Sequence, residues 1–430
     1  MIALVSAKSR TMALSTVVVT LSVVTATAAT QSPSTASPPS GSPQGERGQG
    51  RGGRGIVAQY PVLPIGSALP DFSLLGIDGK RHSPKEYASA KVLAVMFESN
   101  HCPASIAYEK RVHELYDAYR ARGVQVIAIN PNNPKAVRLN ELGYTDMSDS
   151  YEEMKLRAEF MDLPWPYLYD GETQALSMKM GAVATPHIFI FDQDRKLRYQ
   201  GAIDDSRAVA QVKERYAADA IDAPLAGRPV SIAETRALGC STKWVSTSVG
   251  GVEEEMKTIQ STPVTISPID QAGLRTLREN ATSQKTVLVS FWQSDSRLGR
   301  DQFPDLQTTY RMYAGSRRPM DMVTISTDPP AKTAAVLDFL KTQYATTRNV
   351  QVSSGDVAAM PKVFGVKWNP AQPFTMVIGP DGKVLYQREG RIDIYEVRRV
   401  ILASFPDAPG WPGIHEYYQA AVARTAAKRR

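Results

Sequence analysis

The sequence predicts an α/β protein in which one sheet architecture is built twice in tandem. Two apolar runs rich in β-branched residues, Lys91–Phe97 and Val124–Asn130, are typical of strands buried on both faces. Two similar runs, Thr286–Trp292 and Met320–Ser326, recur in the second half of the chain. Helical periodicity separates these runs. Strands that alternate with helices favour a central mixed sheet flanked by helices, once in each half.

Composition allows two hydrophobic cores and excludes several other classes. The chain has 430 residues, 43% of them hydrophobic, and a formal net charge of +7. Short basic runs near the two ends are interpreted as solvated segments, and no nucleic-acid partner is expected. Only two cysteines occur, Cys102 and Cys240, so a framework of several disulfides and a four-thiolate metal site are both excluded.

The N-terminus predicts export. Lys8 and Arg10 precede an apolar run, Met12–Val24, and the small-residue stretch Ala26–Ala28 fits a cleavage site. The run is short for a membrane span, so no integral span is expected after cleavage. The mature chain is therefore expected in the periplasm or outside the cell, where disulfides form.

Composition shifts divide the chain into six segments. They are a signal peptide (1–28), a disordered Ser/Pro/Gly/Arg-rich linker (29–57), a first domain (58–245), a linker (246–262), a second domain (263–412) and a terminal helix with a basic tail (413–430).

Cys102 is the candidate reactive residue. It lies where the first buried run gives way to a helical pattern, and Pro103 suits the first position of a helix. A helix N-terminus carries partial positive charge and free N–H donors, which favour a thiolate. His101 can add positive charge beside the sulfur. A thiolate attacks disulfides and peroxides, so we expect an ionised, reachable thiol here.

The first domain resembles the thioredoxin-like redoxin family, in particular its peroxiredoxin-like branch of the alkyl hydroperoxide reductase and thiol-specific antioxidant type. The matching segments occur in the family's order: Asn100–Pro103, Ala128–Asn132, Pro166–Asp170, Thr185–Pro186, Gly201–Asp205 and the Gly-Cys tail at Gly239–Trp244. The resemblance implies a thioredoxin fold, a cis bond before Pro186 packed against the active thiol, and thiol-disulfide or peroxide chemistry.

Two departures from the family leave the activity open. The position of a second thioredoxin cysteine holds Ser105, so Cys102 has no local partner. Ser99 fits the hydroxyl position before a peroxidatic cysteine, but Val95 stands where that motif has proline. The expected substrates are therefore a thiol or disulfide protein, held as an extended strand along Thr185–Pro186, or a small hydroperoxide.

Cys240 lies in a tail beyond the predicted core. It is interpreted either as a resolving thiol that folds back on Cys102 or as a free thiol in a linker, and two cysteines alone do not decide between these.

The second domain lacks the reactive thiol. Its active turn resembles that of exported thioredoxin-like proteins, with Ser296 and Gly299 at the two cysteine positions. Gln372–Pro373 is the counterpart of Thr185–Pro186. A docking module and a purely structural role both remain open.

Three functions are compared: a thiol oxidoreductase, a peroxidase, and a non-enzymatic docking protein that keeps the redox fold. A copper carrier using His101, Cys102 and His187 is a weaker alternative. The five histidines have no metal-binding spacing, so no metal and no cofactor is expected.

Overall fold

The computed structural model describes residues 59–353, 356–408 and 410–428. The predicted signal peptide (1–28) and the linker (29–57) lie outside the described residues.

The N-terminal half, residues 59–244, is built on a seven-stranded mixed sheet. Its strands, and two that pair apart from the sheet, are β1 (Leu74–Gly76), β2 (Arg81–His82), β3 (Val92–Phe97), β4 (Val124–Asn130), β5 (Tyr167–Tyr169), β6 (Ala184–Thr185), β7 (His187–Phe191), β8 (Leu197–Gly201) and β9 (Cys240–Ser241). The sheet order is β2-β1-β5-β4-β3-β7-β8, and β6 pairs with β9. The two apolar runs of the sequence are thus the neighbouring parallel strands β3 and β4.

Four helices pack on this sheet. They are α1 (Pro103–Tyr119), α2 (Tyr151–Met161), α3 (Ala175–Met180) and α4 (Tyr216–Leu225). Because alternate residues of a strand point to opposite faces, β3 supplies two cores. Val92, Ala94 and Met96 face one apolar cluster, and Leu93, Val95 and Phe97 face the other.

The segment that the sequence assigned to a linker (246–262) is helical. Helix α5 (Val245–Ser261) spans it. The Glu255 carboxylate accepts hydrogen bonds from the backbone N–H groups of Leu139 and Asn140, at 2.8 and 3.2 Å. The connection between the halves is therefore attached to the N-terminal half.

The C-terminal half, residues 262–428, repeats the sheet. Its strands are β10 (Ser267–Ile269), β11 (Thr286–Trp292), β12 (Met320–Ser326), β13 (Arg348–Val352), β14 (Phe374–Ile378) and β15 (Val384–Glu389). The order is β10-β13-β12-β11-β14-β15. From β13 through β12, β11 and β14 to β15, the neighbouring strands pair parallel, parallel, antiparallel and antiparallel. The strands from β5 through β4, β3 and β7 to β8 pair in the same directions, which confirms the repeated mixed sheet.

Six helices complete the C-terminal half. They are α6 (Gln271–Glu279), α7 (Arg297–Gly315), α8 (Thr333–Thr342), α9 (Met360–Phe364), α10 (Ile394–Ala403) and α11 (Ile414–Lys428). The last lies within the predicted terminal helix (413–430).

The two halves share one apolar cluster. Ile106, Val137 and Leu142 of the N-terminal half pack in the same cluster as Tyr313 and Tyr418 of the C-terminal half. Burial of apolar surface stabilises a contact by about 25 cal/mol per Å², so this cluster stabilises the packing of the two halves against each other. Within the described ranges, no helix has the length and apolar character needed to cross a membrane.

Candidate functional site

The candidate site is built around the start of α1. Cys102 is the N-cap residue of this helix, with extended backbone (φ −82°, ψ 116°), and Pro103 occupies the first helical position. The buried strand β3 ends five residues earlier at Phe97, so the turn between strand and helix holds the sulfur in place. The sulfur therefore lies beside the unpaired N–H groups of the first helical turn, as the sequence predicts.

The second wall of the site is the Thr185–Pro186 segment. The peptide bond between these residues is cis, which confirms the family expectation. The Cys102 thiol donates a hydrogen bond to the Thr185 carbonyl oxygen at 2.9 Å, and the Ser99 and Thr185 hydroxyls are 3.0 Å apart. Ser99 thus ties the active turn to the Thr185–Pro186 segment.

Cys240 lies against Cys102. Strand β9 pairs antiparallel with β6, and Cys240 faces Thr185 in the register. Both cysteines are free thiols, and they lie close enough for each to shift the pKa of the other. The structure therefore brings together two thiols that are 138 positions apart in the sequence (240 − 102).

Gly239 permits this close approach. A Cβ atom at this position would lie 2.1 Å from the Thr185 carbonyl oxygen and 3.0 Å from the Pro186 nitrogen. No side chain fits there unless the backbone moves, so the glycine of the Gly-Cys tail is a steric requirement of the β6–β9 pair.

The tail is anchored on both sides of the site. The backbone N–H of Lys243 donates to the Asn132 Oδ1 atom at 2.8 Å, and its Nζ atom lies 2.6 Å from the Glu141 carboxylate. Thr242 donates to the Ala182 carbonyl oxygen. Cys240 is thus held by neighbours that are themselves hydrogen-bonded, and is not part of a free linker.

Two expectations about access to the site are wrong. Cys102 has no exposed surface, although the sequence predicted a reachable thiol. The edge of β6, expected to bind an extended substrate, is already paired with β9 of the same chain. The physical reason is the same in both cases, because the tail lies where a substrate strand would pair.

A buried ion pair lies beside the sulfur. The His101 Nδ1 atom is hydrogen-bonded to the Asp149 carboxylate, and both side chains are almost completely buried. The same carboxylate accepts from the backbone N–H of Asn100 at 2.8 Å and from the side-chain amides of Asn130 and Asn132, at 3.1 and 3.0 Å. Asp149 therefore fixes both the imidazole and the backbone of the active turn.

These contacts change the ionisation of the site. Burial works against a charged His101, but the charge and hydrogen bond of Asp149 raise its pKa. Burial opposes ionisation of Cys102. The hydrogen bond from Cys240, the positive charge of His101 and the N–H of Ser105 nevertheless lower its pKa to about 6. Because one thiol donates to the other, the pKa of Cys240 is raised well above its ordinary value. Cys102 is therefore the more readily ionised thiol of the pair.

His187 is turned to a different partner. Its Nε2 atom lies 2.8 Å from the Gln200 Oε1 atom, its ring packs on Phe189, and burial lowers its pKa to about 4. Among the described residues, no group of three or more His, Cys, Asp or Glu side chains is arranged to hold a metal ion.

The C-terminal half has a serine where the thiol lies in the N-terminal half. Ser296 is the N-cap residue of α7 (φ −76°, ψ 108°), as Cys102 is of α1, and its hydroxyl accepts from the Gly299 N–H at 3.1 Å. Asp328 accepts from the backbone N–H of Ser294 at 2.8 Å. The turn is thus hydrogen-bonded as a serine cap.

Sequence reasoning missed Asp149. It lies just before α2, where an aspartate is typical of a helix cap, but Ser150 is the N-cap residue of that helix. Only the three-dimensional arrangement shows that the Asp149 side chain points back to His101, 48 residues earlier.

The comparisons with known proteins agree with this site. The AhpC/TSA family profile matches residues 65–200. The thiol-disulfide oxidoreductase ResA of Geobacillus thermodenitrificans is 27% identical over 134 residues, which are 31% of this chain and 67% of that protein.

Two solved structures are also similar. An uncharacterised conserved protein from Geobacillus kaustophilus is 36% identical, over 42% of this chain and 92% of that chain, with a TM-score of 0.38. A hypothetical protein from Sinorhizobium meliloti 1021 is 28% identical, over 44% of this chain and all of the other, with a TM-score of 0.39.

An AhpC/TSA match that spans β3, α1 and the cis-proline strand, together with a similar thiol-disulfide oxidoreductase, supports a redoxin family for the N-terminal half of the chain.

Proposed function

We propose that this protein is an exported thiol oxidoreductase in which Cys102 is the nucleophile and Cys240 the resolving thiol. The observation that carries the proposal is the shared position at Thr185, because Cys102 donates to its carbonyl oxygen and Cys240 faces it across the β6–β9 pair. With no cysteine at position 105, a partner thiol has to come from elsewhere in the chain, and Cys240 is the only other cysteine in the sequence.

Disulfide exchange is the function supported best, because the similar ResA protein is named as a thiol-disulfide oxidoreductase. In the first step the Cys102 thiolate attacks a substrate disulfide, forms a mixed disulfide and releases one substrate thiol. In the second, Cys240 loses its proton and attacks the Cys102 sulfur. A Cys102–Cys240 disulfide forms, and the second substrate thiol leaves. The substrate is reduced and the protein is oxidised, and an external thiol reverses this.

Ser99, His101, Thr185 and Pro186 have supporting roles in this scheme. His101 supplies positive charge beside the thiolate. The Thr185 carbonyl oxygen accepts a hydrogen bond from the Cys102 thiol while that thiol is neutral, and Ser99 and Pro186 hold Thr185 in position.

Peroxide reduction is the second candidate, and the covered β6 edge favours it. A small hydroperoxide does not need an unpaired strand, whereas an extended polypeptide does. The Cys102 thiolate would take one oxygen atom, become a sulfenic acid and release an alcohol or water. Cys240 would then condense with the sulfenic acid, form the same disulfide and release water.

Export is supported by the N-terminal pattern of Lys8, Arg10 and the apolar run Met12–Val24. Mass analysis of the secreted or periplasmic protein is expected to find a chain that begins at Ala29. A protein that keeps residues 1–28 and remains in the cytoplasm would contradict this part of the proposal.

The activity is tested on the mature protein with oxidised glutathione, a disulfide peptide and hydrogen peroxide. Each of the three is supplied with a thiol reductant. We expect turnover with at least one oxidant, and non-reducing peptide mapping is expected to find one disulfide that joins Cys102 to Cys240. Cys102→Ser should abolish turnover. Cys240→Ser should stop at a mixed disulfide or a sulfenic acid.

The relative rates assign the substrate. Faster turnover of the peptide or of glutathione supports disulfide exchange, whereas faster loss of peroxide supports the peroxidase. Two freely alkylatable thiols after exposure to every oxidant would overturn the proposal and leave the docking protein as the explanation.

A further inference from the structure

One loop connects the active turn to the C-terminal half. This loop, residues 144–149, is here called the bridging loop. It contains Thr145, Asp146, Met147 and Asp149, which are buried although they belong to neither a helix nor a strand. Buried loop residues need polar partners, and the bridging loop finds them on two different sides.

Its first part is held by the C-terminal half. The Asp146 carboxylate accepts from the Arg399 Nε atom at 2.7 Å and from the Tyr418 hydroxyl at 3.1 Å. That hydroxyl also accepts from the Asp146 N–H at 3.1 Å. Arg398 and Tyr313 donate to the carbonyl oxygens of Asp146 and Thr145, at 3.1 and 3.2 Å. The C-terminal half thus fixes both the backbone and the side chain of Asp146.

Its second part holds the active turn. The Asp149 carboxylate binds His101 and the N–H of Asn100, and the Asn100 side chain donates to the Ser148 carbonyl oxygen at 2.8 Å. Only two residues separate Asp146 from Asp149. A displacement at one end of so short a connection reaches the other, because neither end has free space.

We propose that the C-terminal half positions the active site of the N-terminal half, with Arg399 and Tyr418 acting as positioning residues through Asp146 and the bridging loop on Asp149. This assigns a role to the half that has no thiol. It rests on the proposed function of Cys102 only in treating the Cys102 thiolate as the reacting species.

The charged surroundings of Cys102 allow the effect to be measured. Asp149 and Lys243 act on His101, and His101 acts on Cys102. Glu141 pairs with Lys243, so the net influence of that pair is smaller than that of Asp149. Loss of the Asp149 position is therefore expected to lower the charge on His101 and to raise the pKa of Cys102.

The test is the pH titration of thiolate absorbance in the full-length mature protein. Cys240 titrates well above Cys102, so the two thiols are separable. Tyr418→Phe keeps the ring and removes both contacts with Asp146, whereas Arg399→Gln removes the charge. We expect each variant to raise the Cys102 pKa by about half a unit or more. The reason is that a full charge within ~4–6 Å, such as that of His101, shifts a pKa by about 1–3 units, and the variants weaken this charge in part. Arg399→Lys should restore part of the shift.

Tyr417→Phe is the matched control. Tyr417 is the neighbouring residue on α11, and its hydroxyl accepts from Arg157 at 3.3 Å and lies 3.3 Å from the Met161 sulfur instead of binding Asp146. This variant removes a hydroxyl from the same interface and should titrate as the wild type does. Should Arg399→Gln fail to fold, Tyr418→Phe still decides the question.

A double variant tests whether the effect passes through Asp149. In an Asp149→Asn background, the further change Tyr418→Phe should leave the Cys102 pKa unmoved. An unchanged pKa in the single variants, an equal shift in Tyr417→Phe, or a full additional shift in the double variant would each overturn the proposal. A protein without turnover that shows the shifts would refute the proposed function and leave the positioning role standing.

Discussion

Cys240 faces Thr185 across the β6–β9 strand pair, and the Thr185 carbonyl oxygen accepts the hydrogen bond of the Cys102 thiol. Thr185 is therefore a direct neighbour of both cysteines. In this arrangement the tail strand occupies the edge that an extended partner would use, and it brings its own thiol to Cys102. The site is thus closed over the thiol that we propose as its resolving partner.

Removal of the Cys240 thiol should raise the pKa of Cys102. In the wild-type protein, burial raises the pKa of Cys102. The hydrogen-bonding influence of Cys240 is the largest of the effects that lower it, and the resulting pKa is about 6. A hydrogen bond to a charged group contributes about 1.5–3 kcal/mol, which corresponds to roughly one to two pKa units. Cys240→Ala should therefore shift the thiolate titration upward by about one unit. Cys240→Ser keeps a hydroxyl donor and should shift it less. Equal titrations for the two variants would contradict the hydrogen bond.

Gly239→Ala should separate the two thiols. Its Cβ atom would meet the Thr185 carbonyl oxygen, and that oxygen belongs to a buried backbone that cannot move aside. We expect the rate at which oxidised glutathione generates the Cys102–Cys240 disulfide to fall at least about tenfold, which corresponds to about 1.4 kcal/mol. Quenched-flow mass analysis would measure this rate. Gly250→Ala is the control, because an added Cβ atom meets nothing within 4 Å there. A wild-type rate in Gly239→Ala would show that the β6–β9 pair does not position the tail.

The sequence predicts the strands of both halves well, because their signal is local. The buried runs Val124–Asn130, Thr286–Trp292 and Met320–Ser326 coincide with β4, β11 and β12 to the residue. Continuous β-branched runs leave few alternatives to a strand buried on both faces. The position of Cys102 at a helix N-terminus is predictable for the same reason, since an apolar strand followed by Cys-Pro specifies the boundary.

Contacts between distant segments were not predictable in this way. The partnership of His101 with Asp149 and the coverage of Cys102 by the tail depend on loop paths, for which a sequence holds no periodic signal. The bridging-loop contacts of Asp146 with Arg399 also needed the packing of the two halves. These tertiary contacts determine the ionisation and accessibility of the thiol, so the chemistry of the site was less predictable than its location.

Asp149→Asn should lower the stability of the protein by an amount that is largest in a defined pH window. The pKa of His101 is raised from 6.5, so its contribution is complete below pH 6.5 and is lost as the pH rises through the higher folded-state value. The pKa of Asp149 is lowered from 3.8, so its contribution is present above pH 3.8 and is lost as the pH falls through the lower folded-state value. The stability difference between wild type and variant should therefore be largest between about pH 4 and 6.5.

Urea unfolding at intervals from pH 3 to pH 9 would measure this difference. Removal of one member of a buried pair costs about 3–5 kcal/mol, which is the expected maximum. Glu114→Gln, in the exposed pair with Lys110, should leave the pH profile unchanged. A difference that is constant across the whole range would show that Asp149 acts as a neutral hydrogen-bond acceptor only.

The C-terminal half should accept a redox-active disulfide. Ser296 occupies the N-cap position of α7, and a Cβ atom at Gly299 would lie 3.4 Å from the Ser296 Cβ atom, an ordinary contact distance. Disulfides join Cβ atoms that are about 3.5–4.5 Å apart, so the double variant Ser296→Cys with Gly299→Cys needs only a small adjustment. In a background with Cys102→Ser and Cys240→Ser, we expect oxidised glutathione to convert both new thiols into one internal disulfide, detected as a loss of two alkylatable thiols. Ser296→Cys alone should form only a mixed disulfide with glutathione. If the double variant kept two free thiols, the turn before α7 would have lost the geometry of a redox site as well as its cysteines.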